Sequence, residues 1–160
     1  MATPRLMGAE VKRKEDPRLI TGTSSYVGDL ALPGMHYVAF VRSPHAHARI
    51  RKIDTAPALR RPGVFKVVTG NEIKKLCAAL PIAGAGEGGA TDASANIGRK
   101  HYPLSVDRVR HVGEAVAAVI ATSEEIAVDA AADVVVDWDT LPAVADVFQA
   151  MAKGAPQIHD

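Results

Sequence analysis

Residues 115–121 read Ala-Val-Ala-Ala-Val-Ile-Ala, and this uninterrupted apolar run is the stretch that decides the fold. Strict alternation of polar and apolar residues would predict a strand with one wet face, whereas a continuous apolar run is typical of a strand buried on both faces. We therefore expect a central core strand here, with Val116, Val119 and Ile120 supplying much of its packing.

The segments around this run alternate irregularly between strand and helix patterns. Aromatic and β-branched residues, or polar–apolar alternation, predict further strands at residues 35–41, 49–54, 64–68 and 134–138. Capping residues and apolar stripes predict short helices at residues 55–60, 73–79, 124–133 and 146–151. This irregular order favours an α+β (mixed α/β) fold, a mixed sheet packed with a few helices, over a doubly wound sheet.

Composition divides the chain into three parts. Residues 1–25 are polar and carry Pro and Gly, so we expect an extended arm with turns. Residues 26–160 have the length and apolar content of a single domain. Within that domain residues 81–99 are rich in Gly, Ala, Ser, Asp and Asn without apolar periodicity, which predicts a flexible surface insertion.

Charge and cysteine content exclude several classes of function. The formal net charge of +1 gives no field that would gather nucleic acid or an anionic membrane surface. Cys77 is the single cysteine, so no internal disulfide can form; its predicted helix suggests that the thiol is an apolar core filler. No run of apolar residues is long enough to span a membrane, and the charged start is unlike a secretory signal. We expect a cytoplasmic protein without membrane insertion or nucleic-acid partners.

Two motifs suggest chemistry but fit simpler roles better. The glycines at residues 84–89 neither follow a strand nor open a helix, so we interpret them as loop rather than as a phosphate cradle. His45 and His47 have the spacing that shares one face of a strand and could hold a transition metal. A third ligand is not evident, so we expect turn or interface hydrogen bonds from this pair. The sequence therefore predicts no catalytic, cofactor-binding or metal-binding residues.

Several segments, taken together, carry a family resemblance. They are residues 15–22 (Glu-Asp-Pro-Arg-Leu-Ile-Thr-Gly), 32–36 (Leu-Pro-Gly-Met-His), 41–50 (Val-Arg-Ser-Pro-His-Ala-His-Ala-Arg-Ile) and 109–119 (Val-Arg-His-Val-Gly-Glu-Ala-Val-Ala-Ala-Val). The chain resembles the amino-terminal a/b hammerhead domain of the molybdenum-binding large subunit of the xanthine dehydrogenase, aldehyde oxidase and carbon monoxide dehydrogenase family. It departs from many relatives at Ala115, where they have Pro, and at Val27-Gly28-Asp29, where they have an acidic pair.

The resemblance implies a structural and assembly domain rather than a complete catalyst. The parent enzyme would hydroxylate or oxidise a small substrate with water at a molybdopterin (or molybdopterin cytosine dinucleotide) molybdenum centre, held by later domains. Its electrons would leave through [2Fe-2S] and FAD groups on partner subunits or domains. The expected partners are thus the remaining molybdenum-binding domains and the iron–sulfur and flavin subunits.

The polar arm and the segment after the first strand are the expected docking surface for those partners. Its candidate residues are Arg18, Arg42, His45, His47 and Arg49. Guanidinium groups can make several directed hydrogen bonds to carboxylates or carbonyls across an interface. An alternative from another class stays open: an autonomous small-ligand or protein-binding module without catalysis.

Overall fold

The computed structural model describes residues 12–79 and 101–159, so the predicted insertion at residues 81–99 lies outside the described residues. The chain forms two compact units, Met1–Met35 and His36–Asp160.

In the first unit, residues 12–35 form one short helix, α1 (Asp16–Ile20), and a 3-10 turn over Val27–Asp29. We expected an extended arm with turns here, but these five residues form a helix. Pro17 occupies the first turn of α1, where its fixed φ suits a helix and its missing N–H has no partner to lose. The Thr21 hydroxyl then closes the helix by donating to the Pro17 carbonyl at 2.6 Å.

The described residues of the second unit form two three-stranded sheets and four helices. In chain order its strands are β1 (Tyr37–Arg42), β2 (Ala48–Asp54), β3 (Val64–Thr69), β4 (Arg108–Val109), β5 (Ala115–Ala121) and β6 (Val135–Thr140). Its helices are α2 (Ala56–Leu59), α3 (Gly70–Leu76), α4 (Glu124–Ala132) and α5 (Val147–Met151).

The strand order is β1-β5-β3 in the first sheet and β4-β2-β6 in the second. Every pairing among these described strands is antiparallel. The predicted α+β class is confirmed, whereas the one mixed sheet expected from the sequence is replaced by two antiparallel sheets. Apolar periodicity reports which face of a strand is buried and does not report which strand it pairs with, so it could not separate the sheets.

The strand β5 is the centre of the core, as predicted, with the predicted bounds. On one face Val119 packs in a cluster with Val67 of β3 and Ala130 of α4. On the other face Val116 packs with Ala48 and Val109 of the second sheet. Val116 and Val119 are fully buried, while Ile120 is partly exposed. The continuous apolar run thus reflects burial on both faces.

The helix α4 closes one side of this core. The sequence is compatible with Thr122 or Ser123 as its N-cap, and the structure has Ser123, whose hydroxyl oxygen accepts from the Ile126 N–H at 3.3 Å. A hydrogen bond with Ser123 also holds the pKa of Glu125 below its ordinary value. At the other end Asp133 accepts from the Arg61 guanidinium at 2.8 Å, a bond that raises the pKa of Arg61. The Arg61–Asp133 ion pair thus links the end of α4 to the turn before β3.

Cys77 does not fill the core. The helix α3 ends at Leu76, earlier than the predicted end at residue 79, so Cys77 lies beyond the helix and is exposed. Its thiol donates to the Ile73 carbonyl at 3.5 Å. The expectation of a packed thiol was wrong because it assumed a longer helix. Within the described residues, no helix has the length and apolar character needed to cross a membrane.

We predict that Val119→Ala lowers the free energy of unfolding by about 1–3 kcal/mol, because it leaves space beside Ala130 that rigid neighbours cannot fill. Chemical denaturation of the isolated chain measures this change. Val135→Ala, at a position that is 60% exposed on β6, is the matched control and should cost far less. Equal effects at the two positions would show that β5 is not the centre of the core.

We also predict that Gly70→Ala lowers stability by about 1–3 kcal/mol, the usual cost of overpacking. A Cβ at Gly70 would collide with the Ser105 carbonyl oxygen, and both backbones would have to move. At Gly28 an added Cβ would meet no atom within 4 Å, so Gly28→Ala is the control and should leave the denaturation midpoint nearly unchanged. A Gly70→Ala variant as stable as Gly28→Ala would contradict the close approach of α3 to Ser105.

Candidate functional site

The loop of residues 43–47, between β1 and β2, carries the two histidines of the candidate surface. Ser43 fixes the start of this loop, because its N–H donates to the Glu114 carbonyl at 2.9 Å and its carbonyl accepts from the Gly113 N–H at 2.8 Å. Its hydroxyl donates to the His45 carbonyl at 2.9 Å and accepts from the His45 N–H at 3.0 Å. Gly113 has a φ of 84°, which suits glycine and lets the chain turn into β5 at this point. The loop is therefore held against the two residues that directly precede the core strand β5.

Glu114 is a buried carboxylate at the start of β5, and sequence reasoning did not single it out. One oxygen accepts from the Ser105 hydroxyl at 2.5 Å, and the other accepts from the Arg110 N–H at 2.5 Å. The second oxygen also lies 3.5 Å from Nδ1 of His111. Burying a carboxylate requires such donors, so Glu114 holds residues 105–111 against the beginning of β5. The signal in the sequence was an acidic residue directly before a continuous apolar run.

His47 is buried and joins the loop to the segment that follows β6. Its Nδ1 lies 2.7 Å from the Pro142 carbonyl oxygen, and its own carbonyl accepts from the Leu141 N–H at 2.9 Å. Since a carbonyl only accepts, Nδ1 carries the proton in this contact. His45 instead places its ring edge-on to Trp138, with 5.6 Å between ring centroids. The Pro142 contact joins residues 95 positions apart, so it is a tertiary hydrogen bond rather than a turn hydrogen bond, and the expected interface role of the histidine pair stays a prediction.

The histidine pair does not have the strand geometry considered from its spacing, because β2 begins at Ala48, after both residues. Within residues 12–79 and 101–159, no group of three or more His, Cys, Asp and Glu side chains is placed to hold a metal ion.

Arg42 and Arg49 flank the loop and are both exposed. Arg42 donates to the Gly113 carbonyl at 2.9 Å and has its guanidinium carbon 5.5 Å from the centroid of the Phe40 ring. Arg49 lies in β2, opposite Arg108 of β4 and Asp139 of β6. The structure thus places His45 and His47 in the loop of residues 43–47, with Arg42 before it and Arg49 just after it.

Arg18, the remaining candidate, lies in α1 of the first unit and is exposed there. Its carbonyl accepts from the N–H groups of Thr23 and Ser24 at 3.0 and 3.2 Å. Its proposed part in the same docking surface stays a prediction.

A groove of about 470 Å³ runs between β1 and α4 of the second unit. It is lined by residues 38–42, Glu124, Val128, Ala131 and Ala132. A charged cofactor such as a molybdenum–pterin needs many directed hydrogen-bond donors, whereas Arg42 is the one side-chain donor among the residues that line this groove. The groove therefore does not fit the cofactor that the resemblance implies for the parent enzyme.

Comparison with known proteins agrees with this architecture. Residues 21–142 match the family described as "Aldehyde oxidase and xanthine dehydrogenase, a/b hammerhead domain". The chain is 40% identical over 146 residues to the 6-hydroxypseudooxynicotine dehydrogenase complex subunit gamma of Paenarthrobacter nicotinovorans, covering 91% of this chain and 18% of that protein. It is 39% identical over 154 residues to the carbon monoxide dehydrogenase large chain of Afipia carboxidovorans, covering 96% of this chain and 18% of that one.

A solved structure of the Cu,Mo-CO dehydrogenase matches 93% of this chain and 17% of its own, with a TM-score of 0.76 and 39% identity. The chain thus spans less than a fifth of the length of the relatives it matches. The family match includes all six described strands, the loop of residues 43–47 and Glu114. The chain therefore belongs to the aldehyde oxidase and xanthine dehydrogenase family, as its a/b hammerhead domain.

Proposed function

We propose that this chain is a structural and assembly domain of a molybdenum hydroxylase large subunit, and that it is not catalytic by itself. The observation that carries the proposal is the exposure of large apolar side chains on a domain with a small core. Phe148 and Met151 are each 79% exposed and lie three residues apart in α5. Side chains at this spacing lie on one face of a helix, so the two form an exposed apolar patch that another protein surface can cover.

Other elements carry similar side chains. In the second unit Phe65 of β3 and Leu76 of α3 are 70% and 77% exposed. In the first unit Ile20 and Val27 are 84% and 86% exposed. Exposed apolar side chains in such number indicate surfaces that other protein covers, which is what a domain spanning less than a fifth of its relatives requires.

The chemistry of the proposed parent belongs to its other parts. It would hydroxylate or oxidise a small substrate with water, and a molybdopterin or molybdopterin cytosine dinucleotide group would supply the oxidising centre. [2Fe-2S] and FAD groups on partner subunits or domains would take the electrons. The names of two relatives, a carbon monoxide dehydrogenase large chain and subunit gamma of a dehydrogenase complex, support a multi-subunit dehydrogenase, and the matched Cu,Mo-CO dehydrogenase structure supports molybdenum in it.

In this proposal the chain's own residues position other domains. Arg42, His45 and Arg49 form a docking surface for the remaining molybdenum-binding domains, and buried His47 holds the loop that presents it. Arg18, in the first unit, is proposed as a separate contact. The bonds from Ser43 and His47 fix the loop before anything binds, which reduces the entropy lost on docking. The proposal includes the predicted layout of the chain: an arm at residues 1–25, one domain at 26–160 with an insertion at 81–99, and a cytoplasmic location.

We predict that the double variant Phe148→Ser/Met151→Ser loses assembly without losing its fold. Both side chains are exposed, so their removal should change the free energy of unfolding by no more than about 0.5 kcal/mol. Co-purification with the co-expressed remainder of the large subunit should fall strongly, because apolar anchors dominate interface energies. Gln149→Ser, also exposed on α5, is the matched control and should assemble normally. Normal assembly of the double variant would show that α5 is not part of the interface.

We also predict that the isolated chain binds no molybdenum cofactor. Among the side chains that line the described groove between β1 and α4, only Arg42 can donate a hydrogen bond, and the His45 and His47 rings already contact Trp138 and Pro142. Metal analysis of the chain, purified from cells that make the cofactor, should find far less than stoichiometric molybdenum, while the full-length large subunit prepared alongside should contain it. Stoichiometric molybdenum in the chain alone would overturn the assignment as a non-catalytic domain.

A further inference from the structure

The strand β1 is an edge strand whose outer edge is open in the described chain. It pairs with β5 on one side, and the sheet order β1-β5-β3 places no described strand on its other side. In an antiparallel pair, alternate residues turn their N–H and carbonyl groups away from the partner strand, so about half of the backbone groups of β1 face this open edge. Such an edge is a template on which a further strand can pair.

The middle of β1 also lacks the features that protect edge strands from such pairing. Residues 38–41 are Val-Ala-Phe-Val, without a charge or a proline. The irregularity in its pairing with β5 lies near its end, between Val41 and Arg42. The other edge strand of this sheet, β3, carries Lys66, and a lysine on an edge strand is one of the ways in which proteins prevent unwanted pairing. Of the two edges, β1 is therefore the one suited to strand addition.

The groove of about 470 Å³ between β1 and α4 runs along this open edge. Successive residues of a strand point to opposite faces, whereas all of residues 38–42 line the groove, so it follows the backbone of β1 rather than one face of the sheet. Its other wall is one side of α4, formed at helical spacing by Glu124, Val128, Ala131 and Ala132. Val38, Phe40 and Val128 are exposed, so an added strand could cover them with an apolar side chain.

The two ends of the groove carry opposite charges. Tyr37, at the start of β1, lies opposite Ala121, from which the chain passes into α4, so Glu124 lies at that end. Arg42, at the other end of β1, lies opposite Ala115. Both charged side chains are exposed. A partner segment with a Lys or Arg at the first end and an Asp or Glu at the second matches the groove in charge as well as in apolar character.

We propose that an extended segment from the remainder of the large subunit adds to the open edge of β1 as a fourth strand of the β1-β5-β3 sheet, with an apolar side chain in the groove. The proposal rests on the proposed assembly function and adds the form of the contact. Main-chain hydrogen bonds would give this contact its affinity, and the groove and its two end charges would give it specificity.

Two observations favour the remainder of the subunit as the occupant. In the relatives that the chain matches, more than four-fifths of the protein lies outside the matched domain, so most of such a subunit is available to supply a strand. In addition, β1 leads directly into the loop of residues 43–47, so a strand added to β1 would continue the proposed docking surface of Arg42, His45 and Arg49.

The first experiment measures hydrogen exchange at single amides in the complex of this chain with the co-expressed remainder of its large subunit. The strand β5, which pairs on both sides, is the internal reference. If a strand adds to β1, all amides of residues 38–41 should exchange as slowly as those of β5. If alternate amides of β1 exchange at least about tenfold faster than those of β5, the edge is still open and the proposal is overturned.

A matched pair of variants tests the groove. Val128→Gln places a polar amide on its α4 wall, and Val135→Gln makes the same change on β6, outside the groove. Both valines are exposed, so both variants should keep the melting temperature of the complex-forming chain. Val128→Gln should weaken the affinity between the two pieces at least about tenfold, because an amide buried without hydrogen-bond partners is costly. Equal affinities of the two variants would overturn the role of the groove.

A photo-cross-link identifies the occupant. Phe40, which is exposed on β1, is replaced by the photoreactive amino acid p-benzoylphenylalanine, and the complex is irradiated. We expect a cross-link from position 40 to a segment of the large subunit outside residues 1–160. A cross-link only to a second copy of the chain, to another subunit or to residues within 1–160 would overturn the proposal.

The two levels of the hypothesis fail separately. If the unsubstituted chain does not assemble with the rest of the subunit, the assembly function is wrong and this inference falls with it. If the chain assembles, but the edge of β1 stays open and Val128→Gln behaves like Val135→Gln, the assembly function stands and the strand addition is overturned.

Discussion

Burial of β5 on both faces is the constraint on which the rest of the structure depends. A seven-residue apolar strand can be covered on both sides only if one layer packs against each face. Helix α4, with Ala130, covers the side of Val119, and the second sheet, with Ala48 and Val109, covers the side of Val116. The chain must therefore pass from one sheet to the other between β1 and β2, and the loop of residues 43–47 makes that passage.

This arrangement explains why the candidate docking loop is rigid although it is a loop. It begins beside Glu114, the residue directly before β5, which is buried and bonded to the Ser105 hydroxyl and to the Arg110 N–H. The loop ends at His47, whose ring is hydrogen-bonded to the carbonyl of Pro142, in the segment that follows β6. Core packing thus fixes both ends of the segment that presents Arg42 and Arg49. Because this surface is already ordered, it loses less conformational entropy when it binds another domain.

The sequence predicted those features that depend on local pattern. Strand β5 has its predicted bounds, and α4 begins at Glu124 as its capping residues indicated. Features decided by distant contacts were not predicted. The pairing of β1 with β5 joins Tyr37 to Ala121, and no periodicity reports such a partner. The exposure of Cys77 depends on where α3 ends and on what covers it. The role of Glu114 depends on donors brought to it by the folded chain.

The distribution of side-chain size connects the fold to its proposed use. The largest fully buried side chains in the described chain are three valines, at positions 109, 116 and 119. Phe148 and Met151, which are larger, are exposed. A domain that is stable without partners is expected to bury its largest apolar side chains, since each contributes about 1.5–3 kcal/mol to stability when it is removed from water. Here a small core, nearly all Ala and Val with Leu104, is enough to hold the two sheets together, and larger apolar groups remain exposed, as the proposed assembly role requires.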